Sequence, residues 1–110
     1  ADAPESLTLT AAASPAALSL AFSPSPLGTG VHLVVEATDT LSPGISNATG
    51  KYRQIFVSPA AATSPLDLTA SWQNKFGSLT AGLKVFVRVY AVDETILVPS
   101  PVVIASAIVS

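Results

Sequence analysis

From Lys84 to Val92 the chain alternates, with Val85, Val87, Val89 and Ala91 on one parity and Phe86, Arg88, Tyr90 and Val92 on the other. A period of two sends successive side chains to opposite faces of a strand, so the segment is predicted to be a long strand inside a sheet. Six further segments carry strand signals. Ser6 to Ala13 places Leu7, Leu9 and Ala11 on one side and breaks at Ser14-Pro15. Ala17 to Phe22 aligns Leu18, Leu20 and Phe22. Val31 to Ala37 directs Leu33, Val35 and Ala37 inward, and His32, Val34 and Glu36 outward. Tyr52 to Ser58 ends at Pro59, Leu66 to Trp72 follows another break, and Val102 to Val109 is the seventh strand.

The punctuation between these segments is rich in turn formers. Ser23 to Gly30 contains two prolines and two glycines, which cannot continue a sheet. Thr38 to Gly50 is a loop of Thr, Ser, Asn, Pro and Gly. Gln73 to Gly82 is a connection whose Phe76 and Leu79 are expected to pin it to the core. Asp93-Glu94-Thr95 reads as a turn. No segment reads as a helix or has room for the crossover that parallel strands need. The pattern therefore predicts an all-β, antiparallel sandwich or barrel.

Several of these segments resemble a fibronectin type III domain. Leu79-x-x-Gly82-x-x-Val85 resembles that family's turn into its penultimate strand, and Phe86-Val-Arg-Val-Tyr-Ala-Val92 resembles the strand itself. Pro4 followed by Leu7 and Leu9 is similar to the opening strand. Phe22 stands where the family usually has Trp, and Ser100-Pro101 resembles the lead into the last strand. The resemblance implies one domain over residues 1–110, a seven-stranded antiparallel β-sandwich with immunoglobulin-like topology. The chain departs from the family at Val85, where the tyrosine-corner residue would fall, and at Ala81, where a Pro normally precedes the turn Gly. It contains no Arg-Gly-Asp, so that integrin-binding motif does not carry over. The same fold hosts unrelated functions.

Composition agrees with a folded chain. Hydrophobic residues make up 49% of 110 and charged residues 11%, the reverse of the balance that keeps a chain disordered. With no Cys, neither a disulfide nor a thiolate metal site is available. With no Met and an opening Ala-Asp-Ala-Pro-Glu, the chain is expected to be a processed protein or a piece of a longer one. Net charge is −2 and the five Lys and Arg are scattered, which disfavours nucleic acid as a partner. Mean hydropathy is high, at +0.56, yet no apolar run approaches the roughly 20 residues of a membrane-spanning helix.

Catalytic motifs are missing from this reading. His32 is the single histidine, and no Gly-x-Ser-x-Gly elbow accompanies it, so it reads as a surface or partly covered residue. Glu36, Asp39, Asp67, Asp93 and Glu94 give no sign of a facing carboxylate pair, and turn acids are common. Asp39 with the Thr38–Asn47 loop is a weak calcium candidate without EF-hand spacing. Gly28-Thr29-Gly30 precedes a strand and reads as a turn. Asn47-Ala48-Thr49 matches the N-glycosylation triplet and makes Asn47 a candidate modification site. No cofactor is expected, and the chain is not read as an enzyme.

The remaining feature is an outward face. With Val85, Val87 and Val89 inside, Phe86, Arg88 and Tyr90 face out beside Val34 of a neighbouring strand, an apolar patch with charges at its margin. The competing reading covers part of that patch with the Gln73–Gly82 connection through Phe76. Trp72 reads as core more readily than as a sugar-stacking platform. The expected role is a non-enzymatic structural or protein-interaction module in a larger exported or cell-surface protein, with neighbouring domains or a protein partner. The alternatives are a carbohydrate-binding module, which needs exposed aromatics among Trp72, Tyr52 and Tyr90, or the β-rich half of a small bacterial protein.

Overall fold

The computed structural model describes residues 2–39, 52–96 and 98–110. In chain order the elements are β1 (Glu5–Ala13), β2 (Ala16–Ser23), β3 (Val31–Thr38), β4 (Arg53–Val57), β5 (Leu66–Asp67), α1 (Thr69–Phe76), β6 (Lys84–Asp93) and β7 (Val103–Ile108). A three-stranded sheet runs in the order β1-β2-β5 and a four-stranded sheet in the order β4-β3-β6-β7. Every pair within a sheet is antiparallel.

The alternating parities set the core. Leu9, Leu18, Leu20 and Phe22 of the first sheet close on Leu33, Val35, Ala37, Val85, Val87, Val89 and Ala91 of the second, all buried. Each fully buried Val or Leu contributes roughly 1.5–3 kcal/mol of transfer free energy. Leu79 anchors the turn into β6, where Leu83 N–H reaches Thr80 O at 3.0 Å. Gly82, third residue of that turn, has φ +90°, a conformation that favours glycine. Val85 fills core in place of a tyrosine. The corner is held by backbone instead: Gly82 N–H donates to Val109 O and Val109 N–H to Leu83 O, both at 2.8 Å.

One predicted element is corrected. Leu66 to Trp72 is not a full strand: the extended run stops at Asp67 and α1 begins at Thr69. Leu66 and Leu68 alternate with Asp67 and Thr69, which mimics a strand. However, Leu68, Trp72 and Phe76 are four apart and share a helix face. Asp67 starts the helix by accepting from Thr69 N–H at 3.0 Å and from its hydroxyl at 2.6 Å. Gly77, with φ +91°, ends it, its N–H on Gln73 O. Trp72 is fully buried, with Phe76 stacked on it at 4.2 Å between ring centroids.

Candidate interaction face

The register of the four-stranded sheet brings the predicted face together. Val34 pairs with Tyr90, Glu36 with Arg88 and Thr38 with Phe86. Across the other strands, Val34 pairs with Val57, and Arg88 with Ile104. These side chains all point away from the core. Val34 is 7% exposed and forms the floor, while Phe86, Arg88 and Tyr90 are half-buried. Val57 and Ile104 are exposed on either flank. Phe76 packs with Trp72 against the core, so it does not cover this face.

Polar chemistry at the centre of the face is organised around Arg88. Its Nε donates to Glu36 Oε1, and its guanidinium lies 4.8 Å from the centroid of the Tyr52 ring. An arginine over an aromatic face is attracted by the ring quadrupole. Tyr52 is buried under it, which pushes its hydroxyl above the ordinary range while the Arg88 charge opposes that shift. The Tyr52 hydroxyl oxygen has no hydrogen-bond partner among the described residues. Tyr52 is a contributor that the strand pattern did not assign to this face. The signal was its parity: residue 52 precedes Arg53, the partner of inward-facing Ala37.

His32 lies on the same sheet, at the end near the β6–β7 connection. Its Nδ1 donates to Ser58 O at 2.8 Å, and its Nε2 meets Glu94 Oε2 at 3.0 Å. Both partners are acceptors, so both are satisfied only by the imidazolium. The Glu94 hydrogen bond, then the Ser58 carbonyl, raise the His32 pKa above its ordinary value.

Asp67 and Asp93 serve local structure. Thr69 holds Asp67 below the usual carboxylate range through its hydroxyl and N–H. The Thr95 N–H, at 2.8 Å, does the same for Asp93 within its turn. Gly28-Thr29-Gly30 is a turn closed by Val31 N–H on Gly28 O at 3.0 Å. A cleft of about 350 Å³ opens between the start of β1 and the Ser23–Gly30 loop, and no histidine, serine or cysteine lines it. Among the described residues no group of three or more His, Asp or Glu is placed to hold a metal ion. Asn47 and nearly all of the Thr38–Asn47 loop lie outside the described residues. Among the described residues no helix is long and apolar enough to cross a membrane.

The crystal structure of a Fn3-like protein from Clostridium thermocellum superimposes on 98% of this chain and 90% of its own, with a TM-score of 0.59 and 19% identity. The fold is fibronectin type III-like. No family model matches the chain, and no curated protein matches it in sequence. The fibronectin type III-like topology explains the placement of the face. The penultimate strand β6 sits centrally, and its outward parity is flanked by β3 and β7.

Proposed function

We propose that this chain is a non-enzymatic interaction module that presents the outer face of its four-stranded sheet to a protein partner or neighbouring domain, within an exported or cell-surface protein. The observation that carries this reading is the Tyr52–Arg88–Glu36 array set between Val34, Phe86 and Tyr90, with exposed Val57 and Ile104 at its borders. Aromatics and arginine are enriched at recognition surfaces, and a fixed guanidinium loses little freedom when it is covered. The rigid sandwich sets the spacing between whatever it joins.

Hydroxyl-radical footprinting tests the reading. Phe86 and Tyr90 should be labelled in the isolated chain and protected when the chain sits in its parent protein or partner complex. Thr8 and Thr10, exposed on β1, serve as controls. Equal labelling of Phe86 and Tyr90 in both settings would count against it. The carbohydrate reading is less well supported, because Trp72 and Tyr52 are buried and leave Tyr90 alone of the three candidate platforms. Retention on a polysaccharide gel that is lost with Tyr90→Ala would restore it.

A further inference from the structure

We infer that the outward rows of β6 and β7 form a strip that takes an extended acidic segment of a protein partner, with the pattern acid-x-apolar-x-acid. The inference rests on the outer-sheet reading above and names the chemistry of its partner. Register sets Lys84 opposite Ile108, Phe86 opposite Ser106 and Arg88 opposite Ile104. Val109 N–H donates to Leu83 O at 2.8 Å, so odd-numbered residues of β7 make the ladder bonds to β6. The even-numbered pairs are then the unbonded ones, in which facing side chains stand closest. Cation, aromatic and cation therefore alternate along one row, beside isoleucine, serine and isoleucine along the other.

The cations of this strip have donors to spare. Lys84 is exposed and has no ion-pair partner among the described residues. Arg88 uses its Nε on Glu36, and its terminal nitrogens have no partner among the described residues, while 17% of the side chain stays in water. Glu36 on one edge and the Tyr52 ring beneath hold the guanidinium plane, so its remaining N–H groups are presented already ordered. A carboxylate meets such an edge with two parallel charge-assisted bonds, each about twice as strong as a neutral one. Neither row carries an acid. Among the described residues Glu36 is the one acid that register sets beside the strip, which leaves a surplus of one positive charge in a chain of net charge −2.

Geometry selects an extended protein segment. Lys84 and Arg88 are four strand residues apart, roughly 14 Å. An extended partner lying along β6 repeats its facing side chains at the same period, so carboxylates at its first and fifth positions meet the two cations. The side chain midway between them meets Phe86. Ile104 and Ile108 are 43% and 63% exposed, and an aliphatic flank of the segment covers them. A polyphosphate backbone would leave those isoleucines wet and would need more cations than two. A basic segment is rejected, because it sets like charges against Lys84 and Arg88.

Selection of random displayed peptides on the immobilised full chain tests the inference. Enriched peptides should carry Asp or Glu at two positions four apart, with an apolar residue midway. Lys84→Glu reverses the unpaired end of the strip, and selection on that variant should turn one of the two positions from acidic to basic. A peptide enriched on the native chain should bind Lys84→Glu at least about tenfold more weakly and should protect Phe86 and Tyr90 from hydroxyl radicals. Circular dichroism and the thermal melt of Lys84→Glu should match those of the native chain. No enrichment, enrichment without acids, an acidic preference that survives Lys84→Glu, or protection elsewhere than Phe86 overturns the inference. Labelling in the parent protein judges the outer-sheet reading separately. If Phe86 and Tyr90 are protected there while the selected peptides lack acids, the face stands and its acidic partner falls.

Discussion

Ser58 and Ser100 make the same clasp on opposite flanks of the central strand pair. Ser58 N–H donates to Leu33 O and its Oγ accepts Leu33 N–H, both at 2.8 Å. Ser100 does the same to Ala91, with both distances again 2.8 Å. Leu33 and Ala91 are themselves register partners on β3 and β6. Each serine hydroxyl then donates to the carbonyl of the proline after it, Pro59 at 2.9 Å and Pro101 at 3.0 Å. A hydroxyl thus replaces the strand carbonyl at the row where β4 ends and the chain turns toward β7. The freed Ser58 carbonyl turns to His32.

Replacing either serine with alanine leaves the N–H of Leu33 or Ala91 without an acceptor in a dry interior. Each substitution is expected to cost about 1–3 kcal/mol. The two serines stand three strand spacings apart, roughly 14 Å, so the double variant should add to within about 0.5 kcal/mol. Urea denaturation of the single and double variants measures this. A loss of only a few tenths in either single variant would mean that water or a shifted carbonyl takes over.

The sheets were legible because burial imposes a parity on the sequence. Leu33, Val35 and Ala37, and Val85, Val87 and Val89, all lie inside as their alternation requires. The helix was not legible, because Leu66 to Thr69 alternates while Leu68, Trp72 and Phe76 repeat every four, and a short window fits both periods. The clasps were hidden for a different reason. Ser-Pro also occurs at Ser14, Ser23, Ser25, Ser42 and Ser64, and nothing local marks Ser58 and Ser100 as the two that grip β3 and β6. Their role depends on which strand lies alongside. The outer face was half legible: parity gave Val34, Phe86, Arg88 and Tyr90, while the pairing of Arg88 with Glu36 and Tyr52 came from register.

His32 makes stability depend on pH in a definite direction. Its folded pKa is raised, so the native state binds the proton more tightly than the unfolded chain, whose pKa is about 6.5. That stabilisation is complete below the unfolded pKa and is lost as pH rises through the folded one. The melting temperature should therefore fall between mildly acidic and mildly basic buffer by more in the native chain than in Glu94→Gln. As the only histidine, His32 gives a single imidazole signal whose NMR titration reads the pKa directly. A midpoint at or below the ordinary histidine value would show that the Glu94 contact does not persist in solution.

The Arg88–Glu36 pair should behave as a unit. Both side chains are mostly buried, at 17% and 19% exposed, so Arg88→Met strands the Glu36 carboxylate and uncovers the Tyr52 ring. A loss of about 2–4 kcal/mol is expected. Adding Glu36→Gln to Arg88→Met should restore part of it, since the uncompensated charge is then gone. Denaturation of both singles and the double closes the cycle. Strict additivity would mean the two groups interact no more strongly than a solvated surface pair.

Trp72 reports on α1 and on the rival sugar reading together. It is the only tryptophan and has no exposed surface, and its indole nitrogen has no hydrogen-bond partner among the described residues. Its emission should be blue-shifted, poorly quenched by acrylamide and unchanged by any polysaccharide, since a stacking platform must be open to a ring. Its contribution is to packing: Phe76 stacks on it, and Arg53 reaches over Phe76 at 5.6 Å from the ring centroid while donating to Lys75 O at 3.2 Å at the helix end. Trp72→Ala should cost about 3–5 kcal/mol. Phe76→Ala should cost less, because Phe76 is only partly buried, and it should raise acrylamide quenching by opening the side of the indole that Phe76 covers. If Phe76→Ala leaves quenching unchanged, the helix does not shield Trp72 in the way this stacking requires.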